Sequence, residues 1–226
     1  MKASTPSAAA KPSPATLSRR CPYSVGPVRE SRAFPFFRLR YTALMSTLGH
    51  IQPHPSRENL FGAKDVLDIL RQRSWFSGEP GPELFAFCER SASLLGPHAA
   101  DASGLAELIE LIFHYDAPQI LETKEAHAVL ARYGARDVIR EIALFLLDSA
   151  AFDSDRFKEL VTLLKQKLEL RGRDLFHPLR LVLAGRAGEG ELDRVILLLD
   201  DAAALPFAVT IKSTRTRILE FCRALD

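Results

Sequence analysis

Apolar side chains recur three and four residues apart along most of this chain, from Lys64 to Leu225, which is the spacing of one buried helix face. The strict alternation that marks a half-buried strand never continues long enough to indicate a sheet. Stretches rich in Gly, Pro, Ser and Asp divide the pattern into about nine helical segments. The spacing therefore predicts an all-α fold, a compact helical bundle occupying residues 56–226.

Several helix boundaries follow from residue chemistry. Proline fits a first helical turn, glycine ends a helix, and Ser or Asp caps its N-terminus. The predicted starts are Lys64, Pro82, Ser103 as an N-cap, Glu122, Ala135, Asp153 as an N-cap, Glu191 and Thr214, and the predicted ends are Pro118, Tyr133, Ser149, Leu170, Asp200 and Leu225. The helix from Ala135 is apolar on more than one side, so we expect it to be central.

The first part of the chain, residues 1–55, has a different composition. Residues 1–44 hold eight Lys and Arg against Glu30 alone, a net charge of +7, and show no apolar period. This predicts a disordered basic tail. Three interpretations stay open: a start at Met45 with a dispensable or wrongly assigned upstream stretch, a basic arm that contacts RNA, or an organelle-targeting segment, because such segments are Ser-rich and acid-poor.

The remaining chain is mildly acidic. Residues 45–226 carry 22 Lys and Arg against 27 Asp and Glu, a net charge of −5, which is not the electrostatic footprint of a strong nucleic-acid binder. No apolar run approaches the length of about eighteen residues that a membrane span needs, so no membrane partner is predicted. The cysteines Cys21, Cys88 and Cys222 are scattered and odd in number, which favours a reducing cytoplasm over a disulfide framework.

Residues 171–186 are the most distinctive stretch. Gly172 can take a left-handed conformation after the preceding helix, and Pro178 is expected to be tolerated only in a first helical turn. The apolar run from Leu179 ends where Gly185 can act as a C-cap. The sequence therefore predicts a turn, a short helix and a stop.

Four arginines surround this short helix. They are Arg171, Arg173, Arg180 and Arg186, and Asp174 is the one acid among them. Such a cluster suits contacts with phosphate or carboxylate groups. For Arg180, a buried ion pair with an acid on a neighbouring helix is an equal alternative to an RNA contact.

The same stretch resembles the C-terminal anticodon-binding domain of bacterial glutamyl-tRNA synthetases, which are class I aminoacyl-tRNA synthetases. The matching positions are Gly172, Arg173, Phe176, Pro178, Leu179, Arg180, Ala184, Gly185 and Arg186, with helices on either side from about Leu105 to Leu225. Departures from the family pattern lie at Ala184, at Glu189-Gly190 and over residues 205–217. The resemblance implies an all-α anticodon-binding domain that contacts tRNA.

A catalytic site is not indicated by the sequence. Class I synthetases need a histidine-glycine-histidine pattern and a lysine-rich loop, and neither occurs here, since Gly49-His50 is too short a match. His50 and His54 have a metal-like spacing, but Pro53 and Pro55 prevent the helix that would bring their rings together. Family membership would suggest an aminoacyl-tRNA ligase. We nevertheless predict no catalytic residues, no metal and no cofactor.

Two functions follow. The first is a stand-alone, non-catalytic, cytoplasmic tRNA-binding module linked to aminoacylation and translation, working alone or beside a separate synthetase catalytic protein. Its predicted RNA-binding residues are Arg171, Arg173, Arg180, Arg186, Arg215 and Arg217, with Arg215 and Arg217 expected to face solvent. The alternative is a helical interaction or scaffold domain that keeps the fold without RNA binding. We expect Trp75, the one tryptophan, to pack in the core rather than to stack on a base.

Overall fold

The computed structural model describes residues 59–147 and 152–225. The predicted tail, residues 1–55, lies outside these ranges, as do His50 and His54. The described residues contain eleven α-helices, one 3₁₀ turn and no strand, so the all-α prediction is confirmed. None of these helices is long and apolar enough to cross a membrane.

The helices follow one another with short connections. They are α1 (Ala63–Gln72), α2 (Pro82–Leu95), the 3₁₀ turn (Gly96–His98), α3 (Ala102–Phe113), α4 (Ala117–Leu121), α5 (Lys124–Leu130), α6 (Ala135–Leu147), α7 (Ser154–Leu168), α8 (Arg173–Ala184), α9 (Glu191–Ile196), α10 (Leu199–Ala203) and α11 (Thr214–Leu225). Helices α1, α2 and α3 pack together, and α2 and α3 also contact α9. Helices α4, α5 and α6 pack against α8 or α11, and α7 packs on α6.

The first two helices pack on a ring cluster that includes Trp75. Its side chain is 4% exposed and stacks on Phe113, with ring centroids 4.1 Å apart and planes 3° from parallel. Phe207 meets the Phe113 ring edge-on at 4.9 Å. The predicted core position of Trp75 is confirmed, and a base-stacking role is excluded by its burial.

Two predicted boundaries around α3 are wrong. Asp101 rather than Ser103 caps the helix, since its carboxylate accepts a 2.8 Å hydrogen bond from the Gly104 amide. Pro118 does not end α3 but lies in the first turn of α4, after the N-cap Asp116. Proline suits that position because a first-turn residue has no helical partner for its amide.

The caps of α2, α6 and α7 agree better with the sequence. Pro82 is the first residue of α2, and α6 begins after Gly134, whose φ of +75° breaks the chain direction. Asp153 caps α7 by accepting hydrogen bonds from the amides of Asp155 and Arg156 at 3.0 and 2.9 Å. Helix α7 ends at Leu168, two residues before the predicted end.

Helix α8 is longer than predicted. It begins at Arg173, so Pro178 lies inside the helix rather than in its first turn. Interior proline costs about 3 kcal/mol, but Leu175 and all residues from Pro178 to Ala184 are buried, and that burial offsets the lost hydrogen bond. Gly185 ends the helix at φ +81°, as predicted.

Helix α8 packs against α5, α6, α9 and α11, which makes it as central as the predicted central helix α6. The single helix predicted from Glu191 to Asp200 is in fact two, α9 and α10. Asp200 lies in α10, and its carboxylate accepts hydrogen bonds from the Thr214 amide at 2.8 Å and the Phe152 amide at 3.1 Å. One carboxylate thus joins α10 to the starts of α11 and α7.

Candidate nucleic-acid interface

The six arginines predicted to bind RNA divide into two buried and four exposed side chains. Arg180 is 7% exposed and Arg217 is fully buried. The exposed four are Arg171, Arg173, Arg186 and Arg215.

Arg180 forms the ion pair that the sequence left as an alternative. Its Nε and Nη2 donate to the two carboxylate oxygens of Asp193 at 2.7 and 2.8 Å, and Nη1 donates to the Gly188 carbonyl at 2.7 Å. The guanidinium also lies 5.0 Å from the centre of the Phe176 ring. This bidentate pair joins α8 to α9 and leaves little of the side chain for an RNA.

The expectation that Arg217 faces solvent is wrong. Its Nη1 donates to the Leu183 carbonyl at 2.8 Å, and Nη2 donates to the Leu111 and Ile112 carbonyls at 3.0 and 2.6 Å. These carbonyls belong to the last turns of α8 and α3, where helical acceptors have no intrahelical partner. One guanidinium thus caps the negative ends of two helices, which also suits their dipoles.

Tyr115 completes the surroundings of Arg217. Its hydroxyl donates to the Val182 carbonyl at 2.6 Å, and its ring lies 4.6 Å from the guanidinium carbon. Burial raises the pKa of Tyr115 well above its usual range and lowers the pKa of Arg217 to about 10. The guanidinium therefore stays charged at neutral pH, and the tyrosine stays a hydrogen-bond donor.

The four exposed arginines are divided between the two ends of α8 and the first turn of α11. Arg171 and Arg173 flank the turn that enters the helix, and Gly172 holds that turn at φ +57°. Arg186 follows the other end of the helix, and Arg215 lies in the first turn of α11. Twelve helical residues span about 18 Å, so the structure does not gather the predicted residues into one cluster.

A second turn lies beside the start of α8. Residues 131–134 connect α5 to α6, and a Cβ added to Gly134 would meet Leu170 at 2.8 Å. Arg132, in this connection, pairs with Asp174 of α8 at 3.5 Å. Arg132, Tyr133, Arg171, Arg173 and His177 together form a surface that we call the α8 entry surface.

His177 reports the electrostatics of this surface. Partial burial is the main cause that lowers its pKa, and the neighbouring charges of Arg132, Arg173 and Arg180 lower it further. Arg180 is already paired with Asp193, but Arg132 and Arg173 are exposed and place positive charge beside the imidazole that an anion can reach. The α8 entry surface is therefore suited to a phosphate group.

Two nearby carboxylates partly neutralise the positive charge of the α8 entry surface. Arg173 pairs with Glu189 at 3.6 Å and Arg132 with Asp174, but all four side chains are exposed. Exposed pairs contribute about 0–1 kcal/mol, so these guanidiniums can exchange a carboxylate for a phosphate at little cost. Arg171 forms no ion pair with any residue in the described ranges.

The acidic excess of the chain is not evenly distributed. Residues 59–121, which include α1 to α3, hold four Lys and Arg against nine Asp and Glu, a net charge of −5. Residues 122–226 hold seventeen of each and are neutral. The acidic excess, which argued against nucleic-acid binding, therefore lies in residues 59–121, whereas the α8 entry surface is formed by residues of the neutral part.

Arg132 and Tyr133 were not among the predicted site residues. The sequence places an aromatic residue between an arginine and a glycine at positions 132–134, a pattern that fits an exposed turn with a nucleic-acid contact. The helix prediction instead used Tyr133 only as the end of a helix. Their position beside α8 depends on contacts with Leu170 and Asp174, which are distant in sequence. Within residues 59–147 and 152–225, no three His, Cys, Asp or Glu side chains are placed to hold a metal ion.

Comparison with known proteins identifies the family. The profile of the anticodon binding domain family matches residues 63–205. A glutamate–tRNA ligase of Exiguobacterium sibiricum is 26% identical over 151 residues, which is 67% of this chain and 30% of that protein. The chain thus corresponds to less than a third of this relative, and no solved structure gave a significant match. Because the family profile covers more than half of the chain, the protein belongs to the anticodon-binding domain family.

Proposed function

We propose that this protein is a tRNA-binding module that acts by recognition and carries no catalytic site of its own. The family match over residues 63–205 is the observation that carries the proposal. The relative of known activity is a tRNA ligase, and the similarity covers only 30% of it. The ligase reaction is therefore not transferred to this chain.

The proposed contact residues are fewer than the sequence suggested. Arg171, Arg173, Arg186 and Arg215 are exposed and make no short carboxylate contact with any described residue, apart from the 3.6 Å pair between Arg173 and Glu189. We assign RNA contact to these four arginines and a structural role to Arg180 and Arg217. The spread of these arginines over the two ends of α8 and the start of α11 suits a backbone that is contacted at several phosphates rather than a single anion.

Partners and location form part of the same proposal. A module that only recognises tRNA would act alone or beside a separate synthetase catalytic protein, in the cytoplasm where aminoacylation and translation take place. The acidic surface of α1 to α3 would then stay turned away from the RNA, because like charges repel phosphates.

A helical interaction or scaffold domain is the second candidate. The net charge of −5 over residues 59–121 and the internal use of Arg180 and Arg217 favour it, since both reduce the positive charge available to RNA. The two functions differ in one measurable property, which is affinity for tRNA.

Fluorescence anisotropy with labelled unfractionated tRNA tests the proposal. The full chain is titrated at low salt, with duplex DNA of matched length as the control ligand. We expect saturable binding to tRNA, stronger than to the duplex and weakened by salt. If tRNA does not bind even at low salt, the recognition function is wrong and the scaffold function replaces it.

A further inference from the structure

Tyr133 is the most exposed large hydrophobic side chain of the described residues, with 91% of its surface accessible. Its phenol ring makes no ring contact with another described residue and contributes nothing to the core. An aromatic side chain held open in this way is available to a planar partner.

The backbone under Tyr133 is well fixed. The Arg132 amide donates to the Val129 carbonyl at 3.1 Å, and the Ala135 amide donates to the Arg132 carbonyl at 3.3 Å. Gly134 adopts φ +75°, where a side chain would be strained and would also collide with Leu170. The ring is thus presented from a hydrogen-bonded turn that is already formed, so binding would order little additional backbone.

Two arginines lie near the turn that carries this ring. Arg132 precedes it in the chain, and the turn packs against Leu170, the residue before Arg171. Exposed arginines beside an open aromatic ring are the combination that binds single-stranded nucleic acid, in which the ring stacks on a base and the cations contact the backbone.

We infer that Tyr133 is the stacking platform for an unpaired base of the bound tRNA, with Arg132 and Arg171 on the adjoining phosphates. The inference rests on the proposed tRNA-binding function and adds the residue that selects unpaired nucleotides. Arg132 gives up its exposed 3.5 Å contact with Asp174 when it turns to a phosphate.

Because acids offset the arginines of the α8 entry surface, stacking on Tyr133 rather than charge determines the preference for unpaired RNA. Asp174 and Glu189 offset much of the arginine charge at the α8 entry surface, so attraction to phosphates alone distinguishes poorly between paired and unpaired RNA. A base in a duplex is already stacked on its neighbours and cannot cover Tyr133. The ring therefore favours a loop such as the one that carries the anticodon.

Four variants of the full chain test this inference. Tyr133→Ala removes the ring, Tyr133→Phe and Tyr133→Trp keep one, and Leu60→Ala is the control at another exposed apolar side chain, 78% accessible. Each is titrated with an anticodon stem-loop and with a fully paired RNA duplex of the same total number of nucleotides. Because position 133 is exposed, all four variants should keep the wild-type melting temperature.

The expected result is that Tyr133→Ala binds the stem-loop about 5- to 150-fold more weakly while its affinity for the duplex is unchanged. Tyr133→Phe, Tyr133→Trp and Leu60→Ala should bind like wild type. In Tyr133→Trp, the introduced indole should lose fluorescence when the stem-loop binds, whereas the buried Trp75 should report little.

The failures are distinguishable. If wild-type protein binds the stem-loop and Tyr133→Ala binds it equally well, the stacking inference is overturned and the tRNA-binding function stands. An equal loss for stem-loop and duplex would also overturn it, because the ring would then not select unpaired bases. If wild-type protein binds no RNA, both the function and the inference fail.

Discussion

Replacing Arg217 by methionine should strongly destabilise the domain without any RNA present. Methionine keeps much of the aliphatic volume but removes every hydrogen bond of the guanidinium. The carbonyls of Leu183 and Ile112 are then left buried without their 2.8 and 2.6 Å donors. Each orphaned acceptor costs about 1–3 kcal/mol.

The magnitude follows from these losses and one partial gain. The carbonyls of Leu111 and Lys212 lose partners too, at 3.0 and 3.1 Å, but they are less deeply buried. Removing the guanidinium relieves its desolvation, which is the main reason that its pKa is lowered to about 10. We therefore expect a net loss of about 3–5 kcal/mol, which lies within the sum of about 2–6 kcal/mol for two orphaned buried acceptors.

Thermal unfolding followed by circular dichroism measures this effect. For a domain of this size, each kcal/mol shifts the melting temperature by about 2–4 °C, so the expected decrease is about 6–20 °C. Arg215→Met is the matched control, because Arg215 lies on the same helix two residues earlier and is exposed. It should change stability by less than about 0.5 kcal/mol.

Arg217→Lys refines the test. Lysine keeps the charge but cannot reproduce the planar fork that reaches both helix ends, so we expect an intermediate loss. If Arg217→Met melts within about 2 °C of Arg215→Met, less than the smallest shift expected for 1 kcal/mol, the capping role is refuted. Arg217 would then again be a candidate for RNA contact.

Three further predictions concern α8 and its ends. Arg180→Met should lower the free energy of unfolding, measured by chemical denaturation, by about 3–5 kcal/mol. A double-mutant cycle with Asp193→Asn should show strong coupling between the two side chains. Additive effects of the two substitutions on stability would contradict the bidentate pair. Gly185→Ala should lower the free energy of unfolding by about 1–2 kcal/mol, because φ at Gly185 is +81° and the added Cβ would lie 3.2 Å from Ile120. The control Gly190→Ala, at φ −66° with open space around the added Cβ, should change stability very little. Equal melting temperatures for the two variants would refute the strain at Gly185. The pKa of His177 is lowered, so the folded state favours the neutral imidazole, and the stability that this provides is complete above the unfolded pKa of about 6.5 and is lost as pH falls below it. His177→Gln should therefore lose less stability at low pH than wild type. An NMR titration that shows a raised pKa for His177 would contradict this sign.

Local chemistry accounts for what the sequence predicted well. The cap at Asp153, the first-turn Pro82 and the left-handed Gly185 each depend on neighbours within a few residues, so the pattern alone identifies them. The helical class follows in the same way from apolar spacing. Pro178 was misjudged because the burial of α8, which offsets the interior proline, is a tertiary effect.

The candidate site depended more on distant contacts. Three of the four carbonyls that accept hydrogen bonds from Arg217 lie 34, 105 and 106 residues away along the chain, and nothing in the sequence near Arg217 marks it as buried. Arg180 and Asp193 are thirteen residues apart on different helices. Arginines of identical local character therefore separate into structural and exposed groups only once the helices are packed.

The salt dependence of tRNA affinity tests the central claim most directly. The double variant Arg171→Ala/Arg173→Ala is compared with wild type and with Lys64→Ala/Arg71→Ala, which removes two exposed charges from α1. Each lost phosphate contact should flatten the slope of log K against log salt by about 0.7–0.9. We predict that the slope becomes flatter by about 1.4–1.8 for Arg171→Ala/Arg173→Ala and stays unchanged for Lys64→Ala/Arg71→Ala. The melting temperatures of both variants should equal that of wild type. Identical slopes for all three proteins would contradict the placement of tRNA on the α8 entry surface.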